Sequence, residues 1–259
     1  MRLRRILKIT LLVIVLVVAA AAALVISIFS GKVSIPDGLR FNGVEVVKDG
    51  YVSVYILDLR PGEVALVDGG NDVQAKAILK ALWARGLGPK AVKAIILTHG
   101  DLDHVRGVPV FPDAIVMALG HDVDLAEGRR GRGPMQPRPT GFHVGRSLAD
   151  GDVLELANVR MEVFALPGHT PGSLALLARG VLFLGDSADV TTSRNLIPAN
   201  WFFCHDGSAN RSSLQRLVVR LQARASEVQA VACSHSGVLD QGLAPLSNLA
   251  EQLSKKGNP

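Results

Sequence analysis

Four side chains that commonly bind metals lie within residues 99–104. They belong to the stretch Thr98-His99-Gly100-Asp101-Leu102-Asp103-His104, which directly follows a predicted strand at residues 94–97. Imidazole and carboxylate groups are suitable ligands for zinc, iron or manganese. A His-x-Asp-x-Asp-His pattern should arise by chance in well under about one in a thousand chains of this length. The pattern predicts a metal site, with a solvated polar loop or a helix cap as the simpler alternative.

Three further segments place a metal-binding side chain just past a predicted strand. They are Pro167-Gly168-His169-Thr170, Leu184-Gly185-Asp186-Ser187 and Cys233-Ser234-His235-Ser236. Each segment alone is weak support for a metal site. In this order and spacing, all four segments together resemble the metallo-beta-lactamase superfamily, and the resemblance runs from about Phe41 to Gly237.

The resemblance implies a fold, a ligand set and a chemistry. The fold is a four-layer αββα sandwich of the α+β class, with two divalent metal ions at one edge of its sheets. Zinc is the first expectation, and iron or manganese are alternatives. Carried over by position, the implied ligands are His99, Asp101 and His169 for the first metal, Asp103, His104 and His235 for the second, and Asp186 as the bridge. A metal-bridging water would be the nucleophile, and Asp103 would also orient it.

Asp101 departs from the commoner motif of the superfamily, which has a second histidine at this position. A carboxylate adds a negative charge and a hard oxygen ligand, which suits manganese or ferrous iron better than imidazole does. More ligand charge also makes a metal a weaker Lewis acid. We therefore expect a first site that tolerates these metals and an alkaline-shifted pH optimum, unless Asp101 does not bind at all.

Strand and helix patterns alternate in the rest of the chain. Runs rich in Val, Ile and Leu predict strands at residues 41–47, 51–59, 63–67, 114–118, 153–156, 160–165, 174–177, 181–184 and 228–232. Apolar residues at helical spacing predict helices at residues 75–82 and 214–221. Two strand-rich halves with helices suggest two sheets packed face to face with helices outside. We predict one catalytic domain over residues 31–259.

The first 30 residues form a separate segment. Residues 9–29 carry no charge, and four basic residues precede them. At 1.5 Å per residue this run is long enough for a bilayer core of about 30 Å. It predicts an uncleaved transmembrane signal anchor, with a cleaved signal as the alternative. The basic N-terminus would stay in the cytoplasm. The expected localisation is a single pass through the cytoplasmic membrane, with the catalytic domain on the extracytoplasmic side.

The charge composition of the chain indicates which partners to expect. The chain has 28 basic and 23 acidic residues, but four of the basic ones lie in the first ten residues. The rest is close to neutral, so no nucleic-acid partner is expected. A segment at residues 128–145 carries four arginines without an acidic residue. It predicts either a loop near the metals that favours anionic substrates or a flexible solvated loop.

The predicted function is metal-dependent hydrolysis of a small-molecule ester, lactone, thioester or phosphoester. A bridging aspartate at Asp186 resembles the thioester, lactone and phosphodiester branches of the superfamily, while the absence of a tyrosine after it counts against lactonases that use one there. Two alternatives remain: a mononuclear iron dioxygenase and a catalytically idle binding module. His121 and His143 are interpreted as surface or structural residues. His205 is a candidate for the substrate pocket, and Cys233 is interpreted as an inert core residue.

Overall fold

The computed structural model of the protein describes residues 2–133 and 136–255. Within the first helix, side chains are described for residues 8–23 and 26. The chain separates into two compact units, Met1–Lys32 and Val33–Pro259.

The first unit contains one long helix, α1 (Arg2–Phe29). Over the residues that the structure describes, no helix combines the length and the apolar character needed to cross a membrane. The predicted transmembrane helix and signal anchor are therefore unsupported. The predicted location, a single pass through the cytoplasmic membrane with an extracytoplasmic domain, is contradicted.

The second unit contains two large sheets. The first has seven strands in chain order: β1 (Arg40–Phe41), β2 (Val44–Asp49), β3 (Val52–Asp58), β4 (Val64–Val67), β5 (Val92–Ile96), β6 (Ile115–Leu119) and β7 (Arg146–Leu148). The second has six strands in the order β15-β14-β11-β10-β9-β8: β8 (Val153–Leu156), β9 (Val159–Ala165), β10 (Leu174–Ala178), β11 (Val181–Phe183), β14 (Ala230–Ala232) and β15 (Val238–Leu239). Strands β12 (Ala188–Val190) and β13 (Leu196–Pro198) pair separately.

The helices of this unit are α2 (Lys76–Ala84), α3 (Leu102–Val105), α4 (Val123–Ala126), α5 (Gly207–Gln222) and α6 (Ala244–Lys255). Side chains alternate along the strands, so each strand contributes to two cores. In β3, Tyr55 belongs to the core between the two sheets, whereas Ile56 belongs to an outer core that includes Ile78 of α2. The outer core of the second sheet includes Leu214 of α5 and Leu246 of α6. The two sheets therefore lie between helical layers, and the predicted α+β sandwich is confirmed.

Parallel pairing brings several strand ends to one edge of this sandwich. Strand β4 pairs parallel with β5 in the first sheet, and β11 pairs parallel with β14 in the second. The carboxyl ends of parallel neighbours lie at the same edge of a sheet. The Tyr55 hydroxyl joins the two sheets there by donating to the backbone oxygen of Cys233 at 2.8 Å. This edge carries the residues that the sequence singled out.

Candidate metal centre

The first sheet contributes four predicted ligands. His99 follows β5, and α3 carries Asp103 and His104. Asp101 occupies the N-cap position of α3, yet its side chain makes no capping hydrogen bond. A capping aspartate normally accepts from the first backbone amides of its helix. The Asp101 carboxylate instead lies 3.1 Å from Nε2 of His169, so the helix-cap alternative does not describe its contacts.

The second sheet contributes the other three ligands. His169 lies in the turn after β9, Asp186 follows β11, and His235 follows β14. A glycine precedes Asp186 because Gly185 has a φ of 56° and an added Cβ would lie 2.8 Å from Thr98, which follows β5 of the first sheet. The glycine lets the two sheets approach closely at this point.

All seven predicted ligands converge. Three groups each hold potential ligand atoms within 4.8 Å of one another: His99 with Asp101 and His169, Asp103 with His104 and His235, and His99 with His104 and Asp186. Asp186 has both oxygens inside the cluster. Its Oδ1 lies 3.4 Å from Nε2 of His104, and its Oδ2 lies 2.9 Å from Nε2 of His235 and 3.6 Å from Nε2 of His169. Asp186 is therefore placed to contact both groups.

The spacing of these atoms fits a tetrahedral metal site. Ligands about 2.1 Å from a tetrahedral zinc ion lie about 3.4 Å from each other. In the first group, Oδ2 of Asp101 lies 3.5 Å from Nε2 of His99 and 3.1 Å from Nε2 of His169. In the second, Oδ2 of Asp103 lies 3.5 Å from Nε2 of His235 and 3.9 Å from Nε2 of His104. Both groups therefore have suitable dimensions for a divalent metal.

Several buried polar atoms in the cluster have no hydrogen-bond partner among the described residues. They are Nε2 of His99, Oδ1 of Asp101, Nε2 of His104, Nδ1 of His169 and Oδ1 of Asp186. An unpaired buried polar atom costs about 1–3 kcal/mol, so such atoms are rare in folded proteins. Metal binding would satisfy Nε2 of His99 and of His104 and the oxygen of Asp186. The residues present thus fit a metal centre.

Outer hydrogen bonds orient three of the histidines. Nδ1 of His104 lies 2.8 Å from Oδ2 of Asp68, and Nδ1 of His235 lies 2.9 Å from the backbone oxygen of Tyr51. Nδ1 of His99 lies 3.0 Å from Oγ1 of Thr98, whose hydroxyl in turn donates to Asp68. A histidine that donates from Nδ1 has the lone pair of Nε2 free for a metal. In all three residues Nε2 faces the cluster.

Asp68 is a site residue that the sequence did not reveal. It follows β4 and is fully buried, and both of its oxygens accept hydrogen bonds from groups at the site. Its φ of 65° lies in the left-handed region, which aspartate tolerates better than most residues. The available signal was its position, because an acidic residue directly after a strand is the pattern that also marks Asp186.

Asp122 is the second site residue that the sequence did not reveal. Its buried carboxylate accepts hydrogen bonds from the backbone amides of Gly100 and Gly172 at 2.9 Å and from the hydroxyl of Thr170 at 2.6 Å. These partners adjoin His99, Asp101 and His169. Asp122 therefore connects the two loops that carry the first group of ligands.

Strong electrostatic coupling accompanies this crowding. Burial opposes ionisation of Asp186, but His235 and His104 outweigh it and hold the pKa of this carboxyl well below its usual value. Burial alone would lower the pKa of both histidines. The Asp186 carboxylate instead raises the pKa of His235 to about 9, and Asp186 with Asp68 raises the pKa of His104. Protons and metal ions therefore compete for these two rings.

In the first group, burial and hydrogen bonding shift the pKa values differently. Burial opposes ionisation of Asp101, but hydrogen bonds from His169 and His99 lower the pKa of the Asp101 carboxyl. Burial lowers the pKa of His169 itself. A neutral His169 beside an ionised Asp101 is the combination that metal binding requires.

One arginine of the predicted loop reaches the first group. Arg132 donates to the Asp101 carboxylate and to the backbone oxygens of His169 and Phe203. Arg129 and Arg130 instead pair with acidic residues at positions 122–127, and Arg138 is exposed. The loop thus lies beside the candidate centre, apart from residues 134–135, which fall outside the described residues. Its predicted selectivity for anionic substrates remains a prediction.

The other histidines and the cysteines lie outside this cluster. The side chains of His121, His143 and His205 are exposed. His205 adjoins the centre through its backbone amide, which donates to the backbone oxygen of His169. Cys204 and Cys233 do not form a disulfide, and Cys233 is fully buried in the outer core of the second sheet.

The fold and the convergence of these residues agree with the sequence comparison. The family model of the metallo-beta-lactamase superfamily matches residues 47–230, which is more than half of the chain. The protein therefore belongs to the metallo-beta-lactamase superfamily. This family binds divalent metals, typically zinc.

Curated relatives with similar sequences match part of the chain. A hydroxyacylglutathione hydrolase of Xanthomonas axonopodis pv. citri (strain 306) is 35% identical over 151 residues, covering 58% of this chain and 50% of that protein. One of Vibrio cholerae serotype O1 (strain ATCC 39541) is 31% identical over 153 residues, covering 57% and 50%. The chain thus spans about half the length of the curated relatives it matches.

Two solved structures show the same fold. A subclass B3 metallo-beta-lactamase of Bradyrhizobium japonicum has a TM-score of 0.61 at 18% identity and covers 88% of this chain and 94% of that chain. A metallo-beta-lactamase family protein of Thermus thermophilus has a TM-score of 0.59 at 23% identity, covering 83% and 81%. At these identities the likeness concerns the fold alone.

Proposed function

We propose that the protein is a metal-dependent hydrolase whose catalytic domain lies within residues 31–259. One observation carries this proposal. Seven imidazole and carboxylate side chains, drawn from both sheets, converge at one edge of the sandwich with buried atoms that lack a partner among the described residues. A site of this kind is the expected form of a two-metal hydrolytic centre.

The ligand assignment follows the two groups. His99, Asp101 and His169 would hold a first divalent ion, Asp103, His104 and His235 a second, and Asp186 would contact both. Zinc is the first candidate, with iron and manganese as alternatives. When bound, such ions lower the pKa of a coordinated water and polarise a carbonyl or phosphoryl oxygen.

The more accessible side chains indicate where a substrate would approach. The Asp103 and His235 side chains are 23% and 20% exposed, whereas those of His99 and His104 are almost completely buried. The exposed Tyr51 ring stacks on His235, with centroids 5.7 Å apart. A substrate would therefore meet the face formed by Asp103, His235 and Tyr51. Asp103 would orient a water molecule at this face as well as hold a metal.

The substrate class is proposed as a small acyl or phosphoryl compound: an ester, lactone, thioester or phosphoester. Within this class, the relatives named hydroxyacylglutathione hydrolase favour an acyl thioester. The mononuclear iron dioxygenase and the idle binding module remain the competing functions. They differ from the hydrolase in metal content and in reaction.

Metal analysis of the full chain, run with a substrate panel, tests the proposal. We expect about two divalent ions per chain and hydrolysis of at least one thioester, ester, lactone or phosphoester. A chelator should abolish turnover, and added zinc should restore it. The His99→Ala variant should lose metal and activity together. The matched control, His121→Ala, alters an exposed histidine and should keep both.

Two other results would contradict the hydrolase. One iron per chain with oxygen consumption would identify the dioxygenase. Stoichiometric metal without turnover of any panel member would favour the binding module.

A further inference from the structure

We infer that Arg132 is a positioning residue for the first metal position: its guanidinium fixes the Asp101 carboxylate and the backbone of His169, and it offsets the charge that Asp101 adds. This inference rests on the proposed metal centre. It concerns a residue of the arginine-rich loop and not one of the seven ligands.

The contacts of Arg132 join three separate parts of the chain. Nη1 donates to Oδ2 of Asp101, and Nη2 donates to the backbone oxygen of His169 at 3.0 Å and to that of Phe203. The Arg132 and Asp101 side chains are 24% and 17% exposed, so their pairing is partly shielded from solvent. A planar guanidinium can serve several acceptors in a fixed geometry.

His169 lacks the ring support that the other three histidines have. Asp68, Thr98 and the Tyr51 backbone orient Nδ1 of His104, His99 and His235 respectively. Nδ1 of His169 is buried without a hydrogen-bond partner among the described residues. His169 is held through its backbone oxygen instead, which accepts from Arg132 and from the amide of His205. Arg132 thus helps to fix the backbone of His169, whose ring has no orienting hydrogen bond at Nδ1 among the described residues.

Arg132 also compensates the negative charge of Asp101. A carboxylate in place of a neutral imidazole makes the first group more negative by one charge. The Arg132 guanidinium, paired to the same Oδ2 that faces His99 and His169, returns the local charge to that of an all-histidine group. The neighbouring Arg129 and Arg130 pair with acidic residues at positions 122–127 and with none of the seven candidate ligands, so among the described arginines of this loop the contact with a ligand belongs to Arg132.

The test measures zinc affinity at each position separately. A His235→Ala background removes a ligand of the second position and reports the first, and a His169→Ala background does the reverse. Adding Arg132→Met to the His235→Ala background should weaken zinc binding about 10–100-fold, as loss of an outer-shell partner typically does. In the His169→Ala background it should leave zinc affinity unchanged. Competition with a chromophoric chelator measures both, and thermal unfolding of each metal-free variant checks folding.

Two further variants separate geometry from charge. Arg132→Lys keeps the charge but cannot span all three acceptors, so it should lose most of the zinc affinity that Arg132→Met loses. In an Asp101→His background, Arg132→Met should have a smaller effect because the carboxylate that the guanidinium orients is gone. Arg138→Met, an exposed arginine of the same loop, is the matched control and should bind zinc as the parent does.

Several results would overturn the role of Arg132. Unchanged or tighter zinc binding by Arg132→Met, parent-like binding by Arg132→Lys, or an equal loss in the Asp101→His background each contradicts it. If the unmodified chain binds no zinc in the same titration, the proposed metal centre is refuted and the inference falls with it. Unchanged affinity in a chain that does bind zinc refutes Arg132 alone.

Discussion

Replacing Asp68 by asparagine should disable the second metal position without removing a ligand. The Asp68 carboxylate accepts from the backbone amide and hydroxyl of Thr98 and lies 2.8 Å from Nδ1 of His104. The oxygen of an asparagine can still accept from the Thr98 amide. Its NH₂ group would then face Nδ1 of His104, and it is satisfied only if that nitrogen carries no proton. The proton would move to Nε2, the atom that faces Asp186 and the candidate metal.

The size of the effect follows from these contacts. Loss of a charge-assisted hydrogen bond costs about 1.5–3 kcal/mol. A change of 1 kcal/mol shifts the Tm of a 150–250-residue domain by about 2–4 °C. We therefore expect metal-free Asp68→Asn to unfold about 3–12 °C below the wild type. The wrong tautomer of His104 should weaken zinc binding at the second position by about 10–100-fold.

The assay combines zinc competition in the His169→Ala background with ¹⁵N NMR of the histidine rings, which reports the tautomer directly. Asp49→Asn is the matched control. Asp49 is another buried aspartate, and it accepts from the backbone amides of Asn71 and Asp72 at 2.6 and 2.8 Å. This control should lose stability but keep its zinc affinity. Wild-type zinc affinity in Asp68→Asn would refute the reasoning, whatever happens to its Tm.

Four further predictions concern protons and packing. Zinc binding to metal-free protein at pH 7 should release protons, because the pKa of His104 is raised and that of His235 is about 9. Calorimetry in two buffers of different ionisation enthalpy counts the released protons. Zinc binding without proton release contradicts the competition between protons and metal. The pKa of His235 is raised from about 6.5 to about 9. Its ionic contribution to the free energy of unfolding of the metal-free protein should therefore be complete below about pH 6.5 and should disappear as the pH rises through 9. The His235→Ala variant should not show this loss. The hydrogen bond from Arg224 lowers the pKa of Glu162, so Glu162→Gln should reduce the free energy of unfolding by up to about 1 kcal/mol at pH 7. In urea denaturation, this difference from the wild type should shrink as the pH falls below 4.5 through the lowered folded-state pKa. A difference that does not depend on pH contradicts the prediction. Tyr55→Phe should cost about 1–3 kcal/mol because it removes the buried hydrogen bond from the Tyr55 hydroxyl to the Cys233 carbonyl. A fully stable variant would show that water replaces the hydroxyl.

Much of the centre was predictable because each of the four segments that carry ligands follows a strand. A strand is recognised from a few consecutive apolar residues, and the residue after it must lie at the edge of its sheet. This reasoning located His99, Asp186 and His235 from sequence, and the structure brings all seven candidates together. Whether each of them binds a metal remains a prediction.

The supporting residues were not predictable in the same way. Arg132 reaches Asp101 across 31 positions, and Asp122 reaches Gly172 across 50. Such contacts depend on the path of irregular loops, which has no periodic signature in sequence. Helix α6 is a different case, because Leu246, Leu249 and Ala250 have helical spacing. Its apolar stripe is a periodic signal of the same kind as those of α2 and α5.

The N-terminal segment shows the limit of a hydropathy argument. The apolar run at residues 9–29 meets the length criterion in sequence, yet the described part of α1 does not provide a spanning helix. Composition alone therefore predicted a location that the structure contradicts.

The division of the ligands between two sheets has a consequence for how the protein acquires its metal. His99 and His235 are separated by 136 positions. At about 5–20 residues per second, the ribosome adds the second histidine about 7–27 s after the first. During that interval the His99 to His104 segment exists without the strands that complete the centre. The second metal position, which would use His235, can therefore be completed only after β14 has joined its sheet. Metal uptake at the second position would then be a late event that requires strands of both sheets to be in place.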